Sequence, residues 1–183
     1  MKNKIILVGG YCATGKSTFS NRLSKELNVP CFHKDTIKET LGDSFGSASS
    51  EVFQKGSSAA FLLMYHITEC ILQSGNACIL ESNFKLFEIE KIKILAEKYN
   101  AECLLFRFTG NLDVLFDRYS KRHNERHWIH KSAGNREGFK TVMHDKFSLE
   151  GADIEQIITV DTTSFERVNY EYLFDIAKKF TNR

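Results

Sequence analysis

Residues Gly10-Tyr11-Cys12-Ala13-Thr14-Gly15-Lys16-Ser17 satisfy the pattern G-x-x-x-x-G-K-[ST], and no other feature of the chain restricts its fold so tightly. The motif needs a strand before it and a helix after it. Lys4–Val8 is an unbroken run of lysine, isoleucine, leucine and valine halted by Gly9-Gly10, which predicts a short buried strand. From Lys16 to Leu27 the apolar residues Phe19, Leu23 and Leu27 recur every four positions, which predicts a helix. In such a setting glycines let the backbone approach phosphate oxygens, and the helix N-terminus faces their charge. Lys16 is placed to neutralise the terminal phosphates, and the Ser17 hydroxyl to bind a Mg2+ ion bridging two of them. Gly10, Tyr11, Cys12, Ala13, Thr14, Gly15, Lys16, Ser17 and Thr18 are therefore the candidate nucleotide-binding residues, with ATP and Mg2+ as expected cofactors. Kinases, ATPases, GTPases and switches all use such a loop, so the motif leaves the reaction open.

The remainder of the chain repeats the alternation of strand and helix. Pro30–His33, Ala77–Leu80, Glu102–Phe108 and Gln156–Val160 read as buried strands. Asp35 reads as the cap of a helix running toward Leu41, followed by a Gly/Ser-rich loop over 42–50. Helices are predicted over Glu51–Ser74, Phe84–Tyr99, Leu112–Lys121 and Tyr170–Phe180. Five strands alternating with helices predict an α/β fold: a three-layer, five-stranded parallel sheet with helices on both faces. Pro30 is the sole proline, and no repeat or linker marks a boundary, so residues 1–183 are expected to form one domain.

Charge and composition narrow the class. The formal net charge is only +2. Seven Lys/Arg (Arg118, Lys121, Arg122, Arg126, Lys131, Arg136, Lys140) nevertheless stand against Glu125 and Glu137 between residues 118 and 140. Positive charge is thus concentrated in one stretch. The five cysteines are odd in number and include no C-x-x-C pair, as expected of reduced cytoplasmic thiols. The apolar run Ile5–Val8 is too short for a secretory segment, and no run approaches the roughly 18 residues of a membrane span.

Four segments together give the chain a family resemblance: the loop Gly10–Ser17, Lys34-Asp35-Thr36-Ile37-Lys38, Ile79-Leu80-Glu81-Ser82-Asn83, and the arginine-rich stretch. The chain resembles small P-loop kinases of the nucleoside-monophosphate-kinase fold, nearest the branch of polynucleotide 5′-kinases, zeta toxins, gluconate kinases and chloramphenicol phosphotransferase. That resemblance implies that Asp35 orients the hydroxyl attacking the γ-phosphate, and that Glu81, where the family more often has aspartate, holds a magnesium-bound water. It implies a lid over about 118–136, with Arg118 near the adenine and Arg122 and Arg126 reaching phosphate. Spaced by four, these arginines share a face while the segment is helical. Asp161-Thr162-Thr163 resembles the family's adenine-side loop, and Asn83 an acceptor-side group.

The expectation is an ATP-dependent kinase with a small hydroxyl-bearing acceptor, Lys16, Asp35, Arg122 and Arg126 being catalytic. Two alternatives stay open: a 5′-kinase acting on nucleic acid or nucleosides, and an ATPase or switch without an acceptor. ATP is favoured because no guanine-reading N/T-K-x-D motif occurs. No membrane partner is expected, His123, His127 and His130 are assigned no metal, and His33 is assigned to packing. Cys12 lies where loop N–H dipoles can favour a thiolate whose oxidation would block nucleotide binding; the alternative, and the favoured reading, is a small residue filling a tight loop.

Overall fold

The structure, a computed structural model, describes residues 3–46, 50–122, 125–130 and 134–182. Strand β1 (Asn3–Gly10) carries Ile5, Ile6, Leu7 and Val8, each fully buried, because it lies at the centre of the sheet with helices on both sides. The other strands are β2 (Cys31–His33), β3 (Ala77–Glu81), β4 (Ala101–Thr109) and β5 (Gln156–Asp161). Their order is β2-β3-β1-β4-β5, and every pairing is parallel. The expected five-stranded parallel sheet is therefore present. Burial of all five strands is not: β2 is half-buried, and β5 is largely exposed or half-buried. Both are edge strands, covered by fewer neighbours than β1, β3 and β4.

Alternation along the strands divides the interior into two cores. Ile6, Val8, Ile79, Leu104, Phe106 and Phe108 face α1 (Lys16–Leu27) and α7 (Tyr170–Thr181). Phe19 of α1 stacks on Phe174 of α7 at 5.6 Å and meets Phe106 edge-on at 5.2 Å. Ile5, Leu7, Cys78, Leu80, Cys103 and Leu105 face α3 (Ser50–Gln73) and α4 (Leu86–Lys98). These cores hold β1 so that the turn after Gly10 opens at the C-terminal edge of the sheet, between β3 and β4. That is where parallel α/β sheets place their ligands.

Helix α2 (Lys34–Phe45) continues four residues beyond the predicted stop and ends at Gly46 in the left-handed region. The expected 42–50 loop is thus helical over 42–45, and its residues 47–49 lie outside the described ones. Helix α5 (Leu112–Lys121) has the predicted bounds, with Asn111 Oδ1 accepting the Asp113 and Val114 N–H groups at its start. Helix α6 (Arg136–Phe147) was absent from the sequence reading. Its Phe139 and Met143 pack on Leu115 and Tyr119 of α5 and against Tyr11, Cys12 and Ala13. Among the described residues, no helix is long and apolar enough to cross a membrane.

Candidate active site

The phosphate-binding loop is built from β1 outward. Gly10 has φ 113°, and a Cβ there would lie 2.1 Å from the Phe108 carbonyl oxygen, so the turn requires glycine. The Tyr11 N–H donates to that same oxygen at 2.9 Å, fixing the loop to β4. Ala13 and Gly15 both have positive φ, and Gly15 caps α1 without a side-chain acceptor or an acidic first turn. The helix N-terminus therefore presents backbone donors to an anion. Thr14, fully buried, donates its hydroxyl to the Tyr11 carbonyl at 2.8 Å. Lys16 is only 5% exposed, with Nζ donating to the Tyr11 carbonyl and lying 3.5 Å from Thr14 Oγ1. Burial pushes its pKa down despite Glu81, Cys12 and Asp35. An anion arriving here would relieve that cost.

In the first turn of α1, Ser17 Oγ donates to Glu81 Oε2 at 3.1 Å. Glu81 ends β3 and lies in register with His33, the last residue of β2. His33 Nδ1 reaches Glu81 Oε2 at 2.8 Å, and its Nε2 lies 2.9 Å from Asn21 Oδ1 and 3.5 Å from Cys31 Sγ. With a carboxylate at one nitrogen and an amide oxygen at the other, the ring is placed to donate from both nitrogens as an imidazolium. Contact with Cys31 and the ion pair with Glu81 push its pKa up to about 10. His33 is thus paired with the strand-end carboxylate of Glu81, a contact beyond the packing expected of it, and Asn21 is a partner that the sequence did not point to. Register with a strand-end carboxylate is the signal that would have found His33.

Oxygen donors suited to Mg2+ converge at Ser17 and Glu81. Among the described residues no group of three or more His, Cys, Asp or Glu could itself hold a metal. The pair fits an ion that brings further ligands on nucleotide phosphates.

A cavity of about 340 Å3 joins these groups to the second half of the site. Residues 12–18 and Glu81 line it together with Asp35, Glu39, Asn83, Arg122, Arg126, His127 and His130. Asp35 lies in the first turn of α2, whose cap is His33, so the capping role expected of it is not observed. Its side chain is exposed, and Lys34, with Nζ 3.1 Å from Oδ1, His130 and Arg126 outweigh the desolvation by surrounding atoms and hold the carboxyl below its usual range. Asn83 Nδ2 donates to Cys12 Sγ at 2.8 Å. Desolvation pushes the half-buried Cys12 thiol up, opposite in direction to the effect expected of the loop dipoles.

The arginines separate. Helix α5 stops at Lys121 and Arg122 is its C-cap, so the shared helical face expected for Arg118, Arg122 and Arg126 does not exist. Arg118 donates to the Thr162 and Thr163 carbonyls at 2.6 and 2.9 Å and lies 4.0 Å over the Phe165 ring. That ring borders the phosphate loop, since a Cβ on Gly15 would lie 3.2 Å from it. Arg136 binds Asp113 and Asp117, and Lys140 binds Asp113 and Glu137. Two of the seven basic residues, Arg136 and Lys140, are therefore neutralised within α5 and α6, which reduces the field expected from the stretch. Lys131 and His123 lie outside the described residues.

No protein-family model matches the chain, and neither does any curated protein. A solved candidate kinase from Chloroflexus aurantiacus J-10-fl is 27% identical, with 98% of this chain and 99% of that one aligned at a TM-score of 0.88. A gluconokinase from Sinorhizobium meliloti 1021 is 15% identical over 98% of this chain and 94% of that one, at a TM-score of 0.64. Chaetomium thermophilum Kti12, solved with ADP-AlF3, is 14% identical over 97% and 98% of the two chains, at 0.69. The fold is that of the small P-loop kinases. In this P-loop kinase fold Gly10 and Tyr11 act from behind the cavity, Gly10 by shaping the turn and Tyr11 by packing on α5 and α6. Cys12 through Thr18 form the cavity wall itself.

Proposed function

We propose that the chain is an ATP-dependent phosphotransferase that moves the γ-phosphate to a hydroxyl of a small-molecule acceptor. One observation carries this reading: the phosphate loop with Lys16, and the Asp35 carboxylate, open into the same cavity. The fold shared with a gluconokinase supports a small acceptor.

The loop N–H groups and Lys16 hold the β- and γ-phosphates. Ser17 and Glu81 would hold a Mg2+ ion, which would supply charge neutralisation at the phosphates. Asp35 accepts a hydrogen bond from the acceptor hydroxyl and aims its oxygen at phosphorus. The acceptor O–P bond forms, the bond to the β–γ bridging oxygen breaks, ADP leaves with that electron pair, and the hydroxyl proton passes to Asp35 and then to solvent. A carboxylate held below its usual pKa is a weak base, so its main contribution is orientation, with the proton moving late. Arg122 and Arg126 bring fixed charge to the transferring group, while Arg118 with Phe165 forms the adenine side. Residues 1–183 act as one kinase unit, its lid lying within about 118–136, and the five free thiols fit a cytoplasmic setting.

Incubating the protein with γ-labelled ATP and a panel of polyols, sugars, amino alcohols, nucleosides and oligonucleotides tests the reading. Label is expected in a small phosphoester. Transfer confined to oligonucleotide ends, or appearing as inorganic phosphate alone, contradicts it.

A further inference from the structure

Residues 125–130 form a strap along the cavity wall, tied on both sides. On the α5 side, Arg126 Nη1 donates to Tyr119 Oη at 2.7 Å, and its guanidinium lies 4.9 Å over that ring. On the α2 side, His127 Nε2 meets Asp43 Oδ1 at 2.9 Å and His130 Nε2 meets Glu39 Oε1 at 2.7 Å. The His127 Nδ1 accepts the Ile129 N–H at 3.2 Å, so its Nε2 carries the proton donated to Asp43.

Between the two histidine contacts lies Ile129, fully buried. It fits a notch made by glycines of two different helices. A Cβ on Gly42 of α2 would lie 2.6 Å from Ile129 Cδ1, and one on Gly56 of α3 would lie 3.4 Å from the same atom. Glycine within a helix costs roughly 1 kcal/mol relative to alanine. Neither glycine has positive φ, so backbone conformation does not require them. Gly42 makes room for Ile129, whereas a Cβ on Gly56 would only touch it, so Gly56 marks where α3 comes into contact with the same side chain.

Resting on the placement of Arg126 in the function proposed above, we propose that Ile129 is a positioning residue for that arginine. Seated in the Gly42–Gly56 notch, it fixes the strap to α2 and α3, so that Arg126 is held over the phosphates by the acceptor-side helices. The helix that presents Asp35 to the acceptor also anchors the arginine that meets the transferring phosphate. The two halves of the site are thereby placed relative to one another by this apolar contact together with the two histidine contacts to α2.

The test is the ratio of affinities for the non-hydrolysable ATP analogue AMP-PNP and for ADP, both with Mg2+, measured by calorimetry. Arg126→Ala is expected to lower this preference about tenfold, the value of one charge-assisted contact. Ile129→Ala is expected to lower it by about half that factor or more, with ADP affinity unchanged, and the double variant to fall no further than Arg126→Ala. Ile129→Val keeps the branched stem and is expected to retain most of the preference; it also serves if the alanine variant fails to fold. An unchanged ratio in Ile129→Ala while Arg126→Ala loses it overturns the positioning role alone, as do losses that multiply in the double variant. An unchanged ratio in Arg126→Ala overturns the phosphate role of Arg126 and the positioning role with it.

Discussion

Ser17 and Glu81 meet at 3.1 Å, hydroxyl to carboxylate, across the gap between the first turn of α1 and the end of β3. The contact brings an oxygen from the phosphate loop and one from a neighbouring strand to the same point of the cavity. Substituting Glu81→Gln keeps the shape and removes the charge. Its predicted effect is a fall of about tenfold or more in transfer rate, with a raised Mg2+ requirement. Titrating Mg2+ at saturating ATP measures both, and an unchanged Mg2+ dependence would remove Glu81 from the metal site.

The His33–Glu81 pair makes a prediction about stability. Its folded pKa of about 10 lies above the ordinary 6.5, so its stabilisation is complete below pH 6.5 and fades as pH rises through about 10. With both side chains largely buried, His33→Gln should cost about 3 kcal/mol near neutral pH, as removal of one partner of a buried pair does. Denaturant unfolding of both proteins across pH 6 to 11 should show the gap closing toward the alkaline end. A gap independent of pH would mean that the imidazolium is not the species in place.

Lys16 should show a trade between stability and function. A buried ammonium without an anion is costly, so Lys16→Met is expected to stabilise the nucleotide-free protein by about 1 kcal/mol. The same change should weaken ATP binding by about a hundredfold. Thermal unfolding with and without ATP reads both effects. Retained ATP protection in Lys16→Met would place the phosphates elsewhere.

For Cys12 the expected behaviour is inertness. Its thiol is pushed up by desolvation and accepts a hydrogen bond from Asn83 Nδ2, whereas Cys70 is exposed. Iodoacetamide at neutral pH should label Cys70 well before Cys12, and peptide mapping would show the order. Faster labelling of Cys12 would restore the idea of a reactive thiol in the loop.

Local pattern carried much of this architecture. The apolar runs of β1, β3 and β4 and the four-residue spacing of Phe19, Leu23 and Leu27 have one physical meaning each, a buried strand or a helix face, and the structure agrees. Helix α6 escaped because its buried face is just Phe139 and Met143, and the basic residues around them drew attention to charge. The arginine spacing misled for a related reason: periodicity describes a face only while the helix lasts, and α5 ends at Lys121. His33 was hidden because its partners, Glu81 and Asn21, are 48 and 12 residues away and meet it only through strand pairing and the packing of α1. The Gly42–Ile129–Gly56 contact is likewise tertiary, legible in sequence only as two glycines inside helical stretches.

The central claim is that Asp35 orients an acceptor hydroxyl opposite a phosphate held by Lys16. The most direct test measures the single-turnover rate of γ-phosphate transfer by Asp35→Asn, using an acceptor identified in the screen, with MgATP affinity determined in parallel. The account predicts affinity within about twofold of the parent and transfer slower by about a hundredfold or more. Transfer at the full parental rate, with affinity preserved, would contradict it.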